Sequence, residues 1–230
     1  MTRKPASNEP ARREPACGEL ASRLRVLVIT SPRPAGGRDL LEVLGECVAA
    51  GATAIQLRDK AASARDLVAL ARAVRGLVGG APVLLTVNDR LDVALAAGVD
   101  GVHLGPDDLP VRAARRVAPP PFVIGYSTDD PTEARAAALA GADYLGVGAV
   151  YGTRSKPGLA REAIGPERVR EVRLASGLPC VGIGGITPDN AGPVFRTGAG
   201  VAVLSAVMGA PDPGAVVRRL RAAAAPSERR

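Results

Sequence analysis

From residue 25 onward the chain alternates short, mostly apolar β-branched runs with amphipathic stretches of helical period, eight times over. Few folds accept that rhythm. The apolar runs fall at 26–30, 54–58, 83–88, 101–104, 122–126, 144–150, 180–184 and 201–205, and turn residues bound them. Runs of this kind suit parallel strands covered by helices on their outer face. The stretches near 39–50, 65–78, 90–97, 111–118, 131–140, 166–175, 189–197 and 213–225 predict the helices. Asp39, Pro131-Thr132 and Pro188-Asp189 stand where helix starts need a cap or a rigid first turn.

A weak repeat runs through the same frame. Ala-Gly-Ala-Thr-Ala-Ile at 50–55, Ala-Gly-Val-Asp-Gly-Val at 97–102 and Ala-Gly-Ala-Asp-Tyr-Leu at 140–145 share one plan, with a looser copy at 197–202. In each, glycine can end a helix in the left-handed conformation just before the chain enters a strand. Eight β/α units in about 200 residues predict an α/β fold, a single (β/α)8 TIM barrel spanning 24–222. A doubly wound open sheet is the alternative architecture, but no GxGxxG follows the first run, which weakens a dinucleotide reading.

Composition bounds the function classes. With 47% apolar residues in 230, the chain can bury one sizeable core, which excludes a collagenous or wholly disordered protein. The net charge of +7 suggests nucleic acid until it is located. Residues 1–25 carry six basic and three acidic side chains, residues 218–230 five and one, and the segment between is neutral. With aromatics at 2% and no basic stripe on the folded body, no nucleic-acid partner is expected. Residues 1–23 read as a disordered extension and 223–230 as a basic tail, both dispensable for chemistry. Cys17, Cys47 and Cys180 are scattered outside any CxxC spacing, so neither a disulfide framework nor a zinc cluster is expected. The longest uncharged stretches, 174–188 and 197–211, are too short and too broken by Gly and Pro to span a bilayer. No membrane partner is expected, and the chain reads as cytoplasmic. Oligomeric state stays open, a homo-oligomer included.

In a barrel of this kind the chemistry sits at the C-terminal ends of the strands, and the polar groups of this chain gather there. After the second strand comes Gln56-Leu57-Arg58-Asp59-Lys60, where strand alternation puts Gln56, Arg58 and Lys60 on one face. That face is either an anion site or a charged strand end in solvent. The third strand ends at Asn88-Asp89, and the fourth runs through His103 to Asp107-Asp108. Asp89 and Asp108 could each cap a helix. Beside Arg58 and Lys60, however, two carboxylates on adjacent strand ends favour a Mg²⁺–diphosphate site. His103, the one histidine, lies within a strand and reads as a hydrogen-bonded barrel residue.

The fifth strand ends at Tyr126-Ser127, and the sixth leads into Gly152-Thr153-Arg154-Ser155-Lys156. Residues 152–165 form a Gly/Pro-rich connection that reads as a mobile active-site loop, with hydroxyls and a lysine suited to phosphate. Gly182-Ile183-Gly184-Gly185 and Leu204-Ser205 close the series as a backbone phosphate site.

Together these segments resemble the thiamine phosphate synthase family of (β/α)8 barrel enzymes, over about residues 24–222. The resemblance is carried by Gln-Leu-Arg-Asp-Lys at 56–60, Asn-Asp-Arg-Leu-Asp-Val-Ala-Leu at 88–95, Gly-Val-His-Leu-Gly-Pro-Asp-Asp-Leu at 101–109 and Gly-Ile-Gly-Gly-Ile-Thr at 182–187. It implies a transferase of thiamine biosynthesis that joins a pyrimidine methyl diphosphate to a thiazole ethyl phosphate, with or without a ring carboxylate, releasing diphosphate. It also implies that Gln56, Arg58, Lys60 and Asn88 hold the pyrimidine diphosphate, that Asp89 and Asp108 bind Mg²⁺, and that Ser127 contacts the pyrimidine or its leaving group. Lys156 would meet the diphosphate, Thr153 and Ser155 the thiazole partner, and Gly185, Leu204 and Ser205 the thiazole phosphate. One departure is visible: the family's loop commonly reads Pro-Thr-x-Thr-Lys, and this chain has Gly-Thr-Arg-Ser-Lys at 152–156. Two alternatives share the fold. A thiazole tautomerase would need a histidine after the fifth strand, where this chain has Ser127-Thr128-Asp129-Asp130. A barrel that binds a thiamine precursor without turning it over would not need the carboxylate pair and lysine set.

Overall fold

A computed structural model describes residues 17–152 and 163–225. Eight parallel strands close into a barrel in sequence order, the first hydrogen-bonded to the eighth. They are β1 (Val26–Ile29), β2 (Ala54–Leu57), β3 (Leu84–Asn88), β4 (Gly101–Leu104), β5 (Val123–Ser127), β6 (Tyr144–Gly148), β7 (Cys180–Ile183) and β8 (Gly200–Val203). The helices are α1 (Cys17–Arg23), α2 (Leu40–Ala49), α3 (Ala64–Leu77), α4 (Leu91–Ala97), α5 (Val111–Val117), α6 (Pro131–Ala140), α7 (Gly165–Ser176), α8 (Ala191–Arg196), α9 (Ser205–Met208) and α10 (Pro213–Ala223). The expected (β/α)8 barrel is the observed fold, and the open sheet is excluded by its closure.

Strand alternation builds two cores. Outward residues such as Val28, Ile55, Leu57, Val87 and Val147 pack against the helices in one large cluster. Inward residues, Leu27, Ile29, Ala54, Leu84, Val123, Tyr144, Val181 and Ala202, form a second cluster inside the barrel. Period two therefore decides whether a side chain meets a helix or the barrel axis.

The repeat has a physical basis. Gly51, Gly98, Gly141 and Gly198 all take positive φ, as a left-handed turn out of a helix requires. Its polar position stitches neighbouring strands together. Thr53 Oγ1 accepts from Val26 N at 2.9 Å, Asp100 Oδ2 from Leu85 N at 2.8 Å, and Asp143 Oδ2 from Ile124 N at 2.6 Å. Among the expected caps, Asp39 accepts from Leu41 N and Glu42 N. At α6 the cap is Asp130, with Pro131 in the first turn.

Residues 17–23, assigned to a disordered extension, form α1, and Leu20 and Leu24 are buried in the inner core. The i,i+4 spacing of these leucines puts them on one helix face, which covers the barrel at the end where the strands begin. The charged and Pro-rich residues around them hid that pair in the sequence.

Candidate active site

The strand C-termini open into a cavity of about 390 Å³. Gln56, Arg58, Lys60, Asn88, Asp89, Ser127, Gly185, Leu204 and Ser205 all line it. Asp108 adjoins the same wall through Asp89 and Gly105. Thr153, Ser155 and Lys156 lie outside the described residues.

Gln56 is 3% exposed at the inner face of β2, while Leu57 turns into the outer core, as alternation requires. Arg58 is fixed by a residue the sequence did not flag. Thr30, buried after β1, accepts from Arg58 N at 2.9 Å and reaches Arg58 O at 3.4 Å. The Thr30 hydroxyl thus completes the ladder where β1 and β2 part.

Asp89 and Asp108 cap no helix: the N-cap of α4 is Arg90 and that of α5 is Pro110, neither with a side-chain cap. Asp89 instead holds φ 64°, a left-handed value that an aspartate adopts at some cost, and its Oδ2 lies 3.3 Å from Lys60 Nζ. Asp108 Oδ2 accepts from Gly105 N at 2.6 Å. Burial pushes the Asp108 carboxyl above its usual range, and the Asp89 carboxylate within hydrogen-bond reach pushes the same way; the Gly105 amide and Lys60 act against them. Two oxygen donors whose charges repel suit a hard cation. Among the described residues no third His, Cys, Asp or Glu completes a protein-only cage. That donor set fits Mg²⁺, which keeps several waters and takes further oxygens from a phosphorylated ligand.

The glycine loop after β7 forms the opposite wall. Gly185 has φ 64°, and a Cβ there would come within 2.5 Å of Gly152 O, so only glycine fits this close approach. Asn190, also missed in the sequence, braces the loop: its Nδ2 donates to Gly185 O at 2.9 Å and its Oδ1 accepts from Thr187 N at 2.8 Å. At the rim, Glu133 accepts from Tyr126 Oη at 2.6 Å and Thr128 Oγ1 at 2.5 Å. His103 is buried and hydrogen-bonded, as read from its place within a strand, and it too lines the cavity.

A closed parallel barrel whose polar groups converge in one cavity beyond the strand C-termini is the plan of a (β/α)8 barrel enzyme. Comparison with known proteins narrows the class. Residues 26–207 match the thiamine monophosphate synthase family. The thiamine-phosphate synthase of Moorella thermoacetica is 50% identical over 195 residues, covering 84% of this chain and 92% of that protein. That of Natronomonas pharaonis is 49% identical over 197 residues, 85% of this chain and 92% of that protein. The structure of thiamine phosphate pyrophosphorylase from Pyrococcus furiosus superposes with a TM-score of 0.80 at 40% identity, covering 89% of this chain and 97% of that one. The chain belongs to the thiamine monophosphate synthase family, whose members are transferases of thiamine biosynthesis. Among the described residues no helix is long and apolar enough to cross a membrane.

Proposed function

We propose that this cavity joins a pyrimidine methyl diphosphate to a thiazole ethyl phosphate, giving thiamine phosphate and diphosphate. The methylene C–O bond breaks first, and its electron pair leaves with the diphosphate. The pyrimidine 4-amino group donates into the ring and supports the resulting cation. The thiazole ring nitrogen then gives its lone pair to that carbon, so no protein base is required. The barrier therefore lies in the negative charge growing on the leaving oxygens, and preorganised cations are what lower it.

Arg58 and Lys60 serve as those cations, joined by Lys156, while Gln56 and Asn88 orient the pyrimidine diphosphate and Ser127 contacts its leaving group. Asp89 and Asp108 would hold Mg²⁺, which when bound would neutralise diphosphate charge. Gly185, Leu204 and Ser205 take the thiazole phosphate through the loop wall, and Thr153 and Ser155 contact the thiazole. The observation that carries this reading is the convergence of Arg58, Lys60 and Asp89 with the Gly185 loop on one cavity. The test mixes purified protein, both phosphorylated precursors and Mg²⁺, and detects product by oxidation to fluorescent thiochrome. Absence of fluorescence with folded protein refutes the activity.

A further inference from the structure

Barrels of this class usually fill their interior with branched apolar side chains. Here one layer is polar: Gln56, Thr86, His103 and Tyr144 are each less than a tenth exposed. Two neighbouring strands leave out side chains to seat the rings. A Cβ at Gly125 would come within 2.2 Å of the Tyr144 ring and 2.5 Å of His103 Nδ1, and one at Gly146 within 3.0 Å of His103 Cε1. The rings so held form a chain toward the cavity. Tyr144 Oη lies 2.9 Å from His103 Nδ1, and His103 Nε2 lies 2.8 Å from Ser127 Oγ.

A neutral imidazole carries one ring proton, and its position decides what Ser127 can do. With the proton on Nδ1, His103 donates to Tyr144 and Nε2 accepts a hydrogen bond from the Ser127 hydroxyl, leaving Ser127 only lone pairs for the cavity. With the proton on Nε2, Tyr144 donates to Nδ1, Ser127 accepts from Nε2–H, and the serine hydroxyl proton turns to the cavity. A phenol is much the stronger acid of the two hydroxyls, so it wins the imidazole lone pair. Burial pushes the Tyr144 phenol well above its usual range and outweighs the opposing hydrogen bonds from Thr86 and Gln56, so the phenol keeps its proton.

We infer that Tyr144 and His103 are positioning residues that hold the imidazole as its Nε2–H tautomer and so make Ser127 a hydrogen-bond donor to the departing diphosphate. The inference rests on the reading that Ser127 meets the leaving group. No proton changes owner during turnover; the relay fixes the direction of three hydrogen bonds.

Because the chain has one histidine, untagged protein labelled with ¹⁵N-histidine gives a single pair of ring-nitrogen signals. A protonated-type signal at Nε2 and a lone-pair type at Nδ1 are expected near neutral pH; protonation at Nδ1 overturns the inference. Kinetics give an independent arm. Tyr144→Phe should lower kcat about tenfold, the scale of one charge-assisted hydrogen bond, with KM for the pyrimidine diphosphate unchanged. In a Ser127→Ala background the same substitution should add nothing, whereas a packing role would cost the same in both backgrounds and overturn the relay. Wild-type turnover in Ser127→Ala alone overturns the leaving-group reading. A loss in Ser127→Ala beside wild-type turnover in Tyr144→Phe overturns the relay and leaves that reading standing.

Discussion

Lys60 Nζ stands 3.3 Å from Asp89 Oδ2, so the cation proposed for the substrate and the carboxylate proposed for the metal are partners. Mg²⁺ binding would break that pair. Lys60→Gln removes a like charge from beside the metal and a counter-charge from beside the diphosphate. Mg²⁺ affinity measured by calorimetry without substrate should rise about twofold to fivefold, the scale of one partly exposed pair. kcat/KM for the pyrimidine diphosphate should fall about tenfold or more. If both fall together, Lys60 is supporting the metal site rather than the leaving group.

Asp108 gives a pH-dependent prediction. Its carboxyl is raised in the folded protein by burial and by Asp89, so the folded state holds that proton more tightly than the unfolded one. The ionised form therefore costs stability. The cost is absent below the unfolded carboxyl value, about 3.9, and grows as pH rises through the raised folded value. Asp108→Asn keeps an acceptor for Gly105 N–H and removes the charge. Its metal-free melting temperature should exceed wild type at neutral pH by a few degrees, at about 2–4 °C per kcal/mol for a domain of this size. The difference should shrink as pH falls toward 4. The same variant should need at least about tenfold more Mg²⁺ for half-maximal turnover. A lower neutral melting temperature would mean that Asp108 is held by cations in the free protein.

Thr30 tests whether the Arg58 backbone must be held in place. Thr30→Val preserves shape and leaves the Arg58 amide without the hydroxyl it now meets at 2.9 Å, a loss of about 1–3 kcal/mol. With Arg58 released, kcat/KM for the pyrimidine diphosphate should drop about tenfold. KM for the thiazole phosphate, which we propose binds at the Gly185 wall, should stay within about twofold of wild type. Equal losses for both substrates would show that the barrel mouth has shifted as a whole.

Which parts of this were legible depended on whether a residue's role followed from a local period. Gln56, Arg58 and Lys60 could be read because alternation along one strand puts them on one face, and they line one cavity. Asp89 and Asp108 could be read as acidic residues after consecutive strands, and barrel order makes β3 and β4 neighbours. Thr30 could not, since a single hydroxyl at the end of an apolar run has no period. Tyr144 reads in the repeat as one more apolar strand residue; its place beside His103 depends on Gly125, which comes from another strand. Asn190 stands in a turn-rich segment where asparagine usually signals only a turn. Residues 17–23 were obscured by composition: Glu14, Glu19 and Arg23 made the surroundings of Leu20 look like solvated tail.

Leu20 does not behave as a tail residue. It is 4% exposed and packs in the inner cluster with Leu24, Leu27 and Ala202; Leu27 and Ala202 also line the cavity, whereas Leu20 and Leu24 do not. Truncating it opens space at the base of the barrel, where strands on all sides limit collapse. Leu20→Ala should therefore cost about 2–4 kcal/mol. At about 2–4 °C per kcal/mol, this lowers the melting temperature by several degrees or more. Turnover and both KM values, measured well below the melting transition, should remain within about twofold of wild type, because the strand ends that line the cavity are set by the ladder rather than by α1. Deleting residues 1–22 removes most of α1 and should destabilise at least as much, contrary to what a solvated extension would give. Unchanged melting in Leu20→Ala would return α1 to the status of a loosely held tail.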